Sequence, residues 1–285
     1  MTPAIVVFGA AGGIGRRLRA MLPSDRETIA VDRHLHPGYD AAEPEDLQRL
    51  AALLPSRVVA VNVAGVVSTA GDPATRAALV RSNVQAPALI VSALAGRLEH
   101  VVHLSSVSVY GPTRANPISE EHPLAPDTAY GVSKHAGERL VQLGCAAAGV
   151  PLTVIRATQL FGLASAHDTL PHTLTRRLRA GDSPMLTIDP ATRRDYLHVD
   201  DLVRLVARAA LQPVAGVFNA GSGAGVALGE LFAAAYEAAG RTPPPAGGGT
   251  NPSQCLDSGA ARAAFGWTAE QPLLDWVRAG GRDAA

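Results

Sequence analysis

The 285-residue sequence is nearly devoid of lysine: of its 25 basic residues, 24 are arginine and one, Lys134, is lysine. No GxxxxGK[ST] segment is present, which excludes a P-loop nucleotide site. Arginine suffices wherever a generic cation is needed. The single lysine is therefore either one that arginine cannot replace, because of its shape or pKa, or a chance surface residue.

Cysteine and net charge are also low. The two cysteines, Cys145 and Cys255, make neither a disulfide framework nor a zinc site, and no histidine has partners at metal spacing, so we expect no metal. The 25 acidic residues balance the 25 basic ones, which leaves no basic surface for nucleic acid or an anionic membrane. No run of about 18 apolar residues is present to span a membrane, and the first residues lack the features of a signal peptide. These absences predict a soluble, cytoplasmic globular protein.

Short apolar runs alternate with segments of helical spacing through the first half of the chain. The predicted strands lie at 5–8, 28–31, 58–63, 100–104 and 152–155. The predicted helices lie at 14–22, 45–54, about 75–94 and 130–148. This alternation predicts an α/β fold built from βαβ units, with a parallel sheet that helices cover on both faces.

The alternation loosens after residue 156. We expect helices at 169–180, 201–211 and 228–239, extended segments at 185–188, 196–199 and 217–219, and a loop at 241–251. The predicted organisation is a nucleotide-binding core over 1–156 and a smaller substrate-binding part over 157–285, interleaved with the core.

The segment GAAGGIG, residues 9–15, joins the first predicted strand to the first predicted helix. Glycines at such a turn let the backbone approach a pyrophosphate, which binds the free N–H groups of the helix. Asp32 ends the next strand, where a carboxylate accepts hydrogen bonds from ribose hydroxyls. The segment favours a dinucleotide over an ordinary tight turn. The Asp32 carboxylate favours NAD over NADP. Arg33 and Arg16 are near it in the sequence, so NADP stays open as the weaker alternative.

The segment YGVSK places Tyr130 and Lys134 four residues apart on a predicted helix, so that they share one face. A phenol with a pKa near ~10 is a poor acid or base at neutral pH, and we expect the ammonium of Lys134 to lower it. The segment HLSSVSVYG ends the fourth strand, where Ser106 can hydrogen-bond a substrate oxygen. Alone, each segment is also consistent with a helix start or a polar strand exit.

Together with RRDYLHVDDL and FNAGSG, these segments resemble the extended short-chain dehydrogenase/reductases, the NAD-dependent epimerase/dehydratase group, from Ile5 to about Trp267. The resemblance implies a Rossmann-type doubly wound parallel sheet with a small C-terminal substrate-binding lobe, and a homodimer. It implies a catalytic set of Ser106, Tyr130 and Lys134. The implied cofactor contacts are Gly9, Gly12, Gly13, Ile14, Gly15, Asp32, Arg33, Asp40, Ala41, Val63, Ala64, Gly65, Asn83, Tyr130 and Lys134. The implied substrate contacts are Ser106, Ser108, Gln159 and Arg194.

The sequence also departs from that family's pattern. Val107 and Ser108 follow Ser106 where the family's dehydratases carry an Asp-Glu pair, which disfavours sugar 4,6-dehydration. Gln159 and Leu163 replace the Asn and Pro of the RxxNxxGP segment of nucleotide-sugar members. These two changes favour a smaller ligand, whereas Arg194 favours a diphosphate, since a guanidinium pairs with two oxygens at once.

The leading hypothesis is hydride transfer between NAD and a secondary alcohol of a sugar or nucleotide sugar, with epimerisation as one net outcome. The alternative is an NAD(P)-dependent dehydrogenase or ketoreductase of a free sugar, a uronate or another small alcohol or ketone. A hypothesis of another class is a non-catalytic NAD-binding sensor or scaffold.

Overall fold

A computed structural model describes residues 2–68, 70, 72–163 and 169–281 of the chain. Its strands are β1 Ala4–Phe8, β2 Thr28–Val31, β3 Val58–Asn62, β4 Leu98–Ser106, β5 Leu152–Ala157, β6 Gln159–Phe161, β7 Arg193–Arg194, β8 Tyr196–His198, β9 Gly216–Ala220 and β10 Val226–Ala227. Its helices are α1 Gly13–Met21, α2 Pro44–Leu53, α3 Pro73–Val80, α4 Ala86–Leu94, α5 Ala129–Ala148, α6 Leu170–Arg179, α7 Val199–Leu211, α8 Leu228–Ala238, α9 Gly259–Phe265 and α10 Leu273–Arg278.

Six strands form the central sheet in the order β2-β1-β3-β4-β5-β9. β1 pairs in parallel with both β2 and β3, and β3 pairs in parallel with β4. Every residue of β1 and β3 is buried, because parallel strands are covered on both faces and their sequences are continuously apolar. The predicted α/β class and its doubly wound parallel sheet are confirmed. β2 lies on one side of β1, and the chain then crosses to β3 on the other side of β1. Such a change of direction makes a ligand crevice at the carboxyl ends of these strands.

The chain divides into two compact units. The first comprises the residues up to Gly111, Pro123–Arg156 and Val203–Phe218, and the second comprises Pro112–His122, Ala157–Leu202 and the chain from Asn219 onward. The two units interleave along the sequence, since 112–122 lies in the second unit and 203–218 in the first.

The helical stretch Pro73–Leu94 contains one wide turn. Residues Arg81–Gln85 form a π-helical turn between α3 and α4. Pro87 has no N–H to donate to the carbonyl of Asn83, so the regular hydrogen-bond ladder cannot continue through this point. By length and composition this stretch could cross a membrane. It nevertheless buries Ile90 and Leu94 in the core of the first unit.

The second unit has its own core and short strands. α6, α8 and α10 pack around Leu174, Phe232 and Leu273, β6 pairs in parallel with β8, and β7 pairs antiparallel with β10. The expected extended segment at 185–188 forms no regular strand: Ile188 makes an isolated bridge with Gly249, and the carbonyls of Leu186 and Thr187 accept from the N–H groups of Gly247 and Gly249. β6 was not expected, since three residues are too few to show a period.

Helix α5 packs against the wide turn at a glycine, and this contact gives a stability test. A Cβ added at Gly137 would overlap the backbone carbonyl oxygen of Asn83, whereas one added at Gly144 would lie 3.0 Å from the flexible side chain of Val91. We expect Gly137→Ala to lower the free energy of unfolding by about 1–3 kcal/mol through overpacking.

Gly144→Ala is the matched control on the same helix, since both variants gain the same helix propensity, up to about 1 kcal/mol. Thermal or urea unfolding measures both. Equal stability of the two variants would contradict the close contact at Gly137.

Candidate active site

The carboxyl ends of β1 and β3 meet at a loop that only glycine can form. Gly9 follows β1 with φ +84°, and a Cβ there would lie 2.7 Å from the Cα of Ala64, which follows β3. A Cβ at Gly15 would overlap the carbonyl oxygen of Gly9. Gly12 caps α1 without a side-chain hydrogen bond, and the first turn carries no acidic residue. Its N–H groups therefore suit a phosphate; the predicted contacts Gly13 and Ile14 are in this turn.

Asp32 lies at the end of β2, beside the glycine loop. Its carboxylate accepts hydrogen bonds from the backbone N–H of Ala11 at 3.2 Å and of His34 at 2.9 Å. The carboxylate is thus held at the edge where a ribose would lie. Arg33 is exposed next to it.

Asp40 is a further predicted cofactor contact, as is Ala41 after it, and the Asp40 carboxylate is held by a residue of the helical stretch Pro73–Leu94. Arg81 pairs with the Asp40 carboxylate at 3.0 Å, and Ala42 donates its N–H to it at 2.8 Å. Burial raises the pKa of Asp40, but the hydrogen bonds of Ala42 and Arg81 outweigh it and hold that pKa below its ordinary value. The role of Arg81 was not predicted, because it depends on residues distant in sequence.

Asn83, from the wide turn, organises the segment after β3. Its Oδ1 accepts the N–H of Val66 at 2.9 Å, and its Nδ2 donates to the carbonyl of Val66 at 2.8 Å and to Ser133 Oγ at 3.0 Å. A Cβ added at Gly65 would lie 3.0 Å from Asn83 Oδ1 and 4.0 Å from Lys134 Nζ. The structure thus brings the predicted residues Val63, Ala64, Gly65 and Asn83 to the same place as Lys134.

Ser106 and Tyr130 meet where α5 begins. Ser106 ends β4, and its Oγ accepts the N–H of Ser108 at 3.2 Å. Thr128 caps α5 by accepting the N–H of Gly131 at 3.0 Å, which puts Tyr130 in the first turn. A Cβ at Gly131 would lie 2.5 Å from the carbonyl oxygen of Ser108, so glycine lets the helix approach this closely.

Lys134 is buried, with 5% of its surface exposed. Its Nζ donates to the carbonyl oxygen of Leu104 at 2.5 Å. Burial lowers the pKa of Lys134 to about 8, and the carboxylate of Glu138 opposes that change. Burial also raises the pKa of Tyr130, against a smaller lowering by its hydrogen bond with Ser106. The expectation that Lys134 lowers the tyrosine pKa is therefore wrong for the protein alone, because desolvation of the phenol is the larger effect.

A buried ion pair lies one helical turn beyond Lys134. Glu138 accepts from Arg156 Nη2 at 2.5 Å and Nε at 3.2 Å, and from Ser105 Oγ at 2.7 Å. Arg156 Nη1 also donates to the hydroxyl of Tyr110 at 3.0 Å. Glu138 was not predicted, although its spacing of four residues from Lys134 places both side chains on one face of the helix.

The predicted substrate residues Gln159 and Arg194 belong to the second unit. Gln159 begins β6. Arg194, in β7, donates to the carbonyl oxygens of Arg193 and Pro252, and burial lowers its pKa. The carboxylate of Asp195 instead accepts from Ser222 and from the N–H of Leu256. Within the described ranges, Arg194 has no carboxylate partner. The structure thus groups Ser106, Ser108, Tyr130 and Lys134 in the first unit, whereas Gln159 and Arg194 are residues of the second unit.

Comparison with known proteins gives consistent matches. The model of the NAD dependent epimerase/dehydratase family matches residues 5–221. A "Probable dTDP-4,6-dihydroxy-2-methyloxan-3-one 4-ketoreductase" of Streptomyces antibioticus is 33% identical over 159 residues, which cover 55% of this chain and 51% of that protein. A dTDP-glucose 4,6-dehydratase of Streptomyces griseus is 28% identical over 265 residues, 84% of this chain and 80% of the relative. The structure of MoeE5 in complex with UDP-glucose and NAD is similar with a TM-score of 0.80 at 26% identity, covering 98% of this chain and 97% of that one.

The lone lysine allows its pKa to be measured directly. Protein labelled with 13C-lysine carries one labelled side chain, so a pH titration of its Cε resonance reports Lys134 alone. We expect a midpoint near 8, well below the ordinary 10.5, because burial disfavours the ammonium form. A midpoint at the ordinary value would show that the ammonium is solvated.

Proposed function

Because the chain belongs to the NAD dependent epimerase/dehydratase family, we propose that it catalyses hydride transfer at a secondary alcohol of a nucleotide sugar, with epimerisation as the net reaction. The predicted family, an enzymatic function and NAD as the cofactor are confirmed by this membership. The observation that carries the proposal is the burial of the only lysine on the helix of Tyr130, at the end of the strand that carries Ser106.

In the proposed mechanism, Tyr130 is the acid and base. Its phenolate takes the proton of the substrate hydroxyl, and Ser106 holds the same oxygen by a hydrogen bond. We expect the ammonium of Lys134 to stabilise this phenolate in the bound complex, against the desolvation that raises the pKa of Tyr130 in the protein alone. Bound NAD supplies the acceptor for the hydride at the carbon that bears this hydroxyl. If the resulting ketone stays bound and Tyr130 returns its proton after reduction on the other face, the carbon is epimerised.

The glycine loop fits the pyrophosphate of NAD. Gly9 and Gly15 leave no room for a side chain, and the uncapped start of α1 offers backbone donors. Asp32 stands at the end of β2, where its carboxylate would accept from ribose hydroxyls and repel a 2′-phosphate. These residues support NAD over NADP.

Arg194 supports a nucleotide sugar as substrate. In the portion of the chain described, its guanidinium bonds only backbone carbonyls, and a guanidinium without a carboxylate partner suits the oxygens of a diphosphate. The relatives named for dTDP-sugars and the MoeE5 complex with UDP-glucose support the same class. Val107 and Ser108 carry no acid or base after Ser106, so we do not extend the dehydration named for one relative to this chain.

Ketoreduction is the second candidate. The relative from Streptomyces antibioticus is named a 4-ketoreductase and is 33% identical in the aligned part. The same residues would then act in reverse, with Tyr130 donating its proton to a ketone oxygen. A reductase must exchange its nicotinamide in each turnover, whereas an epimerase regenerates its own.

We also propose a cytoplasmic homodimer. Val80 on α3 and Leu140 and Leu143 on α5 are 55%, 42% and 51% exposed. α3 and α5 are in contact, so we infer that these three side chains share one apolar face, to which Val80 contributes from the stretch Pro73–Leu94. Large exposed apolar faces are typical of association surfaces, and a two-fold dimer would cover this one.

The proposed acid–base role of Lys134 is tested by Lys134→Arg. The variant keeps a cation but replaces a compact ammonium by a planar guanidinium. We expect turnover with NAD and UDP- or dTDP-hexoses to fall about 10²–10⁴-fold, the usual contribution of acid–base catalysis. The melting temperature controls for folding, and NAD binding by titration separates a loss of the predicted cofactor contact of Lys134 from a loss of turnover. Near-wild-type turnover would refute the catalytic role, and a wild-type protein that binds NAD without turnover would favour the sensor hypothesis.

The nucleotide-sugar class is tested by Arg194→Ala beside Arg193→Ala. Neighbouring strand residues point to opposite faces, so the two variants differ mainly in which face loses a cation. Charge-assisted hydrogen bonds contribute about 1.5–3 kcal/mol, so Arg194→Ala should raise KM for a nucleotide sugar roughly ten- to a hundredfold. Arg193→Ala should leave KM nearly unchanged. A lower melting temperature without a selective rise in KM would assign Arg194 a structural role instead.

A further inference from the structure

The buried pair Glu138–Arg156 joins three elements of the first unit. Glu138 belongs to α5, Arg156 to β5, and Ser105, which donates to Glu138 at 2.7 Å, to β4. Glu138 and Arg156 are 1% and 4% exposed. Ser105 directly precedes Ser106, so this carboxylate fixes the strand end that carries the proposed catalytic hydroxyl.

The same carboxylate acts on Lys134 from the next turn of the helix. Residues four apart on a helix are neighbours on one face, and both side chains are buried. Lys134 in turn bonds the carbonyl of Leu104, beside Ser105. Lys134 thus attaches α5 to Leu104, and Glu138 attaches it to Ser105, the next residue of β4.

We propose that Glu138 is a positioning residue that keeps the ammonium of Lys134 protonated and holds the Ser106 end of β4 against α5. The inference rests on the proposed function in one respect, namely that turnover needs Lys134 in its ammonium form. Its electrostatic part concerns only groups within the first unit. It is therefore measurable in protein without substrate or cofactor.

Among the residues that the structure describes, the other groups around Lys134 do not supply this negative charge. Tyr130 and Glu138 face it from its own helix, and burial raises the pKa of Tyr130, which keeps it neutral. From β4, His103 is held neutral, because burial and the charge of Lys134 both lower its pKa. Asn83 is uncharged, and the guanidinium of Arg156 from β5 is paired with Glu138. The carboxylate of Glu138 is therefore the compensating charge.

The test is the pH titration of the single 13C-lysine resonance in three variants. Glu138→Gln removes the carboxylate but keeps hydrogen-bonding atoms. The double variant Glu138→Leu with Arg156→Met removes both charges. It avoids the cost of the single variant, in which the buried guanidinium of Arg156 has lost its carboxylate. Arg139→Gln is the control, an exposed charge change at the neighbouring position of α5. Lys134→Arg identifies the resonance by its disappearance.

We expect the titration midpoint of Lys134 to fall by about one pH unit or more in Glu138→Gln, since a nearby opposite charge shifts a pKa by about 1–3 units. The double variant should give a midpoint between those of Glu138→Gln and the wild type, and Arg139→Gln should equal the wild type. In the pH profile of turnover, the alkaline limb should shift to lower pH by the same amount as the Lys134 midpoint.

A merely structural Glu138 would give a different result: a lower melting temperature with the Lys134 midpoint and the alkaline limb unmoved. That result, or a double variant that titrates as the wild type does, overturns the proposal, as does an equal shift in Arg139→Gln. If Glu138→Gln does not fold, the double variant decides. If the wild type shows no hydride transfer while the midpoints shift as expected, the proposed function fails and the electrostatic role of Glu138 stands.

Discussion

Lys134 takes an ammonium ion out of water, and much of the first unit compensates for that transfer. Lowering its pKa from 10.5 to about 8 corresponds to roughly 3 kcal/mol against the charged form. The carbonyl of Leu104 accepts one of its protons, and Glu138 supplies the opposite charge. A buried carboxylate needs its own partner, which is Arg156, and the guanidinium in turn bonds Tyr110. One buried cation therefore requires a chain of polar contacts across α5, β4 and β5.

These contacts require α5 to approach the neighbouring backbone more closely than a residue with a side chain would allow. Gly131 lets α5 approach the turn at Ser108, and Gly137 lets it approach the carbonyl of Asn83. That carbonyl lies in the wide turn which Pro87 imposes, and the side chain of Asn83 holds Val66 beside the site. Packing and chemistry share these residues, so a change to the fold at these points is also a change to the site.

The sequence was most informative where a feature is local. β1 and β3 are continuous apolar runs, and the spacing of Tyr130 from Lys134 places both on one helical face, so these could be predicted. Arg81 at Asp40 and Arg156 at Glu138 join residues distant in sequence, and no periodicity marks such pairs. The sign of the pKa change at Tyr130 was missed for the same reason: it depends on how much water the folded chain removes from the phenol, and spacing carries no information about burial.

The two buried cations also explain why arginine does not replace lysine throughout. Arg156 uses its planar fork, with Nε and Nη2 both on Glu138 and Nη1 on the hydroxyl of Tyr110, an arrangement that a point charge cannot make. Lys134 meets a single carbonyl oxygen in a narrow space beside Gly65, 4.0 Å from where a Cβ would lie. A guanidinium there is larger and keeps its proton at every accessible pH, whereas the ammonium responds to burial. In a chain with 24 arginines, the one lysine thus occupies the position where compactness and an adjustable pKa are both required.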